Sequence, residues 1–132
     1  MPAHTGTAMT DTKPLEPSPR PASHGQLFAS LPGAGAAEEF LLLASNGTTR
    51  VERIVSTGQA SPADFWYDQA EDEFVALLAG GAVLTIAGRA EPLRLEPGDW
   101  VNLPAHCRHR VEWTSTEPPT VWLAVFSPAG RE

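Results

Sequence analysis

The sequence predicts one all-β domain that closes as a sandwich or barrel, and three observations predict it. Short strand-forming runs recur at even spacing, turn residues separate them, and no stretch keeps a 3.6-residue period long enough for a substantial helix. The 132 residues, 42% hydrophobic and 19% charged, suffice for one compact core and not for two. Residues 1–23 stand apart. Pro2, Pro14, Pro17, Pro19 and Pro21 sit there among Thr, Ser and Ala without hydrophobic periodicity, which predicts a disordered tail ahead of a barrel domain over 24–132.

Taken in order, residues 26–31 are expected to form a short helical turn over one edge of the fold, and 33–37 a flexible link. Strands over 39–45 and 49–56 flank Asn46-Gly47, a strong hairpin signal because both residues tolerate positive φ. Further strands are expected over 64–69, 73–79, 82–87, 92–95, 100–103, 109–113 and 120–126. Gly80-Gly81, Gly88-Arg89, Pro97-Gly98-Asp99 and residues 115–119 divide them. An antiparallel set of this size curls and needs its edges protected. Alternation assigns faces: Glu73, Val75 and Leu77 lie on one side of a central strand, with Phe74, Ala76 and Leu78 on the other. In the same way His109, Val111 and Trp113 share an inward face, opposite Arg108, Arg110 and Glu112.

Charge and composition narrow the function classes. Nine Lys and Arg stand against sixteen acids, a net charge of −7, with no basic run to meet a phosphate backbone, so no nucleic-acid partner is expected. The longest apolar stretches, 40–44 and 74–79, are too short to span a bilayer as helices, and no apolar leader is visible; a cytoplasmic protein with no membrane partner is expected. The lone Cys107 cannot form an internal disulfide, which agrees with a reducing compartment.

The chemistry-bearing residues cluster in two segments. In the first, Tyr67-Asp68-Gln69 is followed by Glu73 and then by Gly80; in the second, Gly98-Asp99 leads through Pro104 to His109. The spacing of these two segments resembles the two motifs of the cupin superfamily, the RmlC-like cupins, and with the flanking strands the resemblance covers roughly residues 46–127. It implies a jelly-roll β-barrel whose interior holds a divalent metal on two histidines, a glutamate and a third histidine. Carried over position by position, those places fall on Tyr67, Gln69, Glu73 and His109. Both histidines of the first motif are therefore missing. His106 stands where the family usually has Gly, Trp113 where it often has Asn, and Ser61 where the first motif begins with Gly.

Two chemistries remain open on these residues. Gln69, Glu73 and His109, with Tyr67 or water as a fourth donor, would form a weakened site for Mn, Fe, Zn or Ni, since an amide oxygen is a neutral ligand. Without metal, a Glu facing an apolar interior has its pKa raised and can exchange protons with an adjacent His, with Tyr67 as acid or hydrogen-bond donor. The catalytic candidates are then Glu73, His109 and Tyr67. Each has a bland alternative: Glu73 a strand-end acid behind Glu71 and Asp72, His109 a core imidazole bonded to backbone, Tyr67 and Gln69 a hydrogen-bonded pair. His106 reads as a loop residue or a pocket-mouth group, and Cys107 as an inert small side chain. The four tryptophans read by default as core or subunit-contact residues, with a pocket wall as the alternative for Trp113, on the inward face of His109.

The resulting expectation is a cupin, homodimeric to cover edge strands, that binds a small organic molecule near Glu73 and His109. It would act through a divalent metal as a dioxygenase, lyase or isomerase, or alternatively as a metal-free, non-catalytic binding or sensing module.

Overall fold

The computed structural model describes residues 19–130, so most of the expected tail, residues 1–18, lies outside the described residues. Eight strands follow: β1 Glu39–Asn46, β2 Thr49–Ser56, β3 Glu71–Ala79, β4 Ala82–Ile86, β5 Leu93–Leu95, β6 Trp100–Leu103, β7 His109–Thr114 and β8 Thr120–Pro128. They form a five-stranded sheet, β1-β2-β8-β3-β6, and a three-stranded sheet, β5-β4-β7, every pairing antiparallel. The core lies between them. Ile54, Val75, Leu77, Trp122, Ala124 and Phe126 come from the larger sheet, and Ala82, Leu84 and Leu95 from the smaller. No helix among the described residues is long and apolar enough to cross a membrane.

The β1–β2 hairpin turns one residue later than expected. Asn46 pairs with Thr49, leaving Gly47-Thr48 as the loop with φ +63° at Gly47, which suits a glycine-first two-residue turn. Residues 26–31 make no helical segment. Ala29 N–H bonds the Gln26 carbonyl in a single turn that does not propagate. The Arg53 guanidinium instead collects the carbonyls of Leu27 (3.1 Å) and Ala29 (2.6 Å) and the Glu39 carboxylate. The expected flexible link at 33–37 is tied down as well: the Ala36 carbonyl accepts from Thr57 Oγ1 and Gln59 Nε2. This strap explains why Arg53 and Val55, opposite in parity to the core residue Ile54, are also buried.

Residues 64–69 are no strand either. Asp64 has φ +63°, and only Tyr67 joins the sheet, through one two-bond bridge to His109. A further correction concerns Trp113. The β4–β7 register slips between Val83 and Leu84, so Glu112 is an extra residue on β7 and the alternation beyond it reverses. Thr114 therefore turns inward, and Trp113, 46% exposed, lies outside against Arg94 rather than walling the interior.

Candidate functional site

A cavity of about 160 Å³ opens at one end of the barrel, and Tyr67, Gln69, Glu73 and His109 all line it. Each arrives by a different local route. Glu73 and Val75 share the inner face of β3, His109 and Val111 that of β7, and the two-residue spacing of Tyr67 and Gln69 keeps both side chains on the cavity although their segment lies outside the sheets. Ile54, Leu84, Leu103, Trp122 and Phe126 supply apolar wall.

The polar end is a connected set. Gln69 Nε2 donates to Glu73 Oε1 at 3.1 Å, and His109 Nε2 lies 4.0 Å from the same oxygen. On its other side, His109 Nδ1 is 2.9 Å from the Cys107 carbonyl. A carbonyl only accepts, so Nδ1 carries the proton and, in the neutral ring, Nε2 presents its lone pair to the cavity. Tyr67 stacks on the imidazole at 5.2 Å and 20°, and Phe65 packs edge-on against Tyr67. Burial pushes the Glu73 carboxyl above the usual carboxylate range; His109 and the Gln69 bond pull it partly back, while Glu52 and Glu71 add to the rise. Burial, then the charges of Glu38 and Glu73, likewise raise the Tyr67 phenol, which stays protonated at neutral pH.

The loop before β7 is held by the segment that carries Tyr67. His106 N–H bonds the Gln69 carbonyl, Ala105 N–H bonds Asp72, and the exposed His106 ring pairs with Asp68 at 2.7 Å. His106 has φ +64°, which explains why a glycine suits this place, and its side chain is not among those lining the cavity. Three lining residues escaped the sequence reading. Glu38 and Phe40 stand at the start of β1, where nothing in the motif spacing points, and Trp122 sits on β8 at the inward parity of Ala124 and Phe126. Trp122 Nε1 donates to Ser56 Oγ at 3.2 Å, and the Ser56 hydroxyl donates to Glu38 at 2.6 Å, so the tryptophan and the carboxylate are positioned together.

Comparison with known proteins agrees with this architecture. A crystal structure from Ralstonia eutropha JMP134, of a protein provisionally named a mannose-6-phosphate isomerase, superposes with a TM-score of 0.79 at 47% identity, covering 82% of this chain and 100% of that one. A conserved Streptococcus pyogenes protein of unknown function (TM-score 0.64, 18% identity, 85% and 92% covered) shares the fold. So does a cupin superfamily protein of Desulfitobacterium hafniense DCB-2 (0.63, 18%, 83% and 94%). No curated protein matches. The cupin domain model, Cupin_2, matches residues 52–126, more than half of the chain and the stretch that contains Tyr67, Gln69, Glu73 and His109, and the chain therefore belongs to the cupin family.

Proposed function

We propose that the barrel binds a small organic molecule whose polar end meets Glu73 and His109, and that this pair handles a proton without a resident metal. The observation that carries the reading is a carboxyl and an imidazole nitrogen 4.0 Å apart, aimed into a cavity whose walls are largely apolar. Protonated Glu73 can donate to a ligand oxygen while His109 Nε2 accepts, and the Tyr67 hydroxyl adds a second donor. The donor set suits a divalent ion poorly. Glu73 and His109 are the two strong ligands that lie together, the Gln69 amide is turned with its nitrogen toward Glu73, and no group of three His, Cys, Asp or Glu side chains able to hold an ion occurs among the described residues.

The test is a ligand-observed NMR screen of small organic compounds on wild type, Glu73→Gln and His109→Ala, with calorimetric titration of Mn²⁺ and Zn²⁺. Hits on the wild type should weaken about tenfold or more in either variant, as loss of a buried hydrogen-bonding group requires. Hits indifferent to both substitutions would sink the reading, and tight ion binding that Glu73→Gln removes would replace it with the metal site. The same variant carries a stability signature. Because the folded-state pKa of Glu73 is raised, the folded protein holds more protons than the unfolded one in the window between the two values, and stability falls as pH rises through it. Glu73→Gln should therefore melt above wild type at neutral pH, with the gap closing below about pH 4, where the carboxyl is protonated in both states.

We further propose a homodimer formed along β1. Among the described residues that strand pairs with β2 alone, and Phe40, Leu41, Leu42 and Leu43 are all exposed on it, a row that a second copy would cover. Light scattering should give twice the chain mass for wild type and the single-chain mass for Leu42→Asp; a monomeric wild type overturns the dimer.

A further inference from the structure

The cavity has a distinctive charge balance. Glu38 and Glu73 line it, and no Lys or Arg does so among the described residues. Arginines are engaged elsewhere: Arg50 with Glu52 and Glu71, Arg53 with Glu39 and backbone, Arg110 with Glu112, and Arg94 and Arg108 over tryptophan rings outside. Four aromatic side chains, Phe40, Tyr67, Trp122 and Phe126, share the lining with the two acids. Phe126 already receives a cation: the Arg50 guanidinium sits 4.4 Å from its ring centroid. An aromatic wall with carboxylates attracts a positive centre that sheds its water cheaply, through the ring quadrupole and Coulomb attraction together. The same lining opposes an anion, since a phosphate would lie beside two acids with no guanidinium or ammonium to meet it.

We propose that the ligand is a small organic cation, a quaternary or substituted ammonium group of a size that about 160 Å³ admits, held between the aromatic rings and the carboxylates of Glu38 and Glu73. This rests on the small-molecule reading of the pocket and names its ligand class. It separates the chain from the activity named for the Ralstonia eutropha protein, whose substrate would be a phosphate ester. Glu38 is suited to be the permanent counter-charge, because the Ser56 hydroxyl donates to it and Trp122 fixes that hydroxyl in turn. Glu73, on the inner face of β3, is the second acidic side chain of the same lining.

The test compares choline with its uncharged isostere, the dimethylbutanol in which carbon replaces the quaternary nitrogen, and with mannose 6-phosphate, by calorimetry and by the NMR signals of Trp122 and His109. Choline should bind about tenfold more tightly than the isostere, the order expected of a desolvated cation–aromatic contact. Glu38→Gln should remove most of that preference, and Glu73→Gln should reduce it. Equal or tighter binding of the isostere overturns the cationic class and leaves the small-ligand pocket standing. Tighter binding of mannose 6-phosphate overturns it in favour of an anion. Failure of all three to perturb Trp122 or His109 at their solubility limits overturns the cationic class, while the small-molecule reading stands or falls by the NMR screen.

Discussion

Leu77→Asp should unfold the protein or cost roughly 4 kcal/mol or more, because it places an unpaired carboxylate at a fully buried position with no donor to meet it. Leu77 lies on β3 between β8 and the β6 side, and packs with Ala82, Leu84 and Leu95 from the facing sheet. Its backbone is equally committed: its N–H bonds the Asp99 carbonyl at 2.9 Å, and its own carbonyl accepts from Gly98 N–H at 2.8 Å. Circular dichroism on heating should show no cooperative transition, or one far below wild type. Leu77→Ala is the control, expected to lose about 2–5 kcal/mol and remain folded. An unchanged melting temperature for the Asp variant would place Leu77 outside the core.

Gly80→Ala should be nearly as severe, for a backbone reason. Gly80 has φ +81°, and a Cβ built there would lie 2.6 Å from the Pro119 carbonyl oxygen and 2.7 Å from Thr120 Cα, both main-chain atoms that cannot rotate away. Ser115 Oγ, at 2.5 Å, holds the Pro118 carbonyl and is hydrogen-bonded in turn to the buried Thr120 hydroxyl. Left-handed backbone costs a non-glycine residue about 1–2 kcal/mol, and forced overpacking adds about 1–3. The melting temperature should fall by roughly 10–20 °C. Gly88→Ala, also at positive φ but with open space around its Cβ, should cost only the first part and so separates the two causes.

Much of this architecture was legible because inward parity and turn chemistry are local. The faces of β3 and the inward aim of His109 follow from alternation alone, and the convergence of Tyr67, Gln69, Glu73 and His109 follows from motif spacing. What escaped depends on long-range pairing. Trp113 was read as inward, and the extra residue at Glu112 reversed it; a bulge has no compositional mark when it falls on a charged residue in a regular pattern. Residues 26–31 read as a helical turn and the Gly/Ala run 33–37 as a loose link, yet the buried guanidinium of Arg53, far along the chain, organises the carbonyls of Leu27 and Ala29. The pocket roles of Glu38 and Phe40 depend on which end of the barrel β1 enters, and strand order is not written in any window of sequence.

One wall of the cavity is attached differently from the others. Glu73 and His109 stand on hydrogen-bonded ladders, whereas Tyr67 and Gln69 belong to a segment fastened by a few discrete links. These include the Tyr67–His109 bridge, the Ser61–Val111 bonds, the Arg110 guanidinium on the carbonyls of Pro62 and Phe65, the His106 N–H on the Gln69 carbonyl, and the His106–Asp68 and Gln69–Glu73 side-chain pairs. Releasing those links breaks no ladder, so amide exchange in this segment is expected to be faster than in β3 and β8, which hydrogen-exchange mass spectrometry would check. The cavity is thus walled on one side by continuous ladders and on the other by a segment whose hold on the barrel is a set of separate bonds.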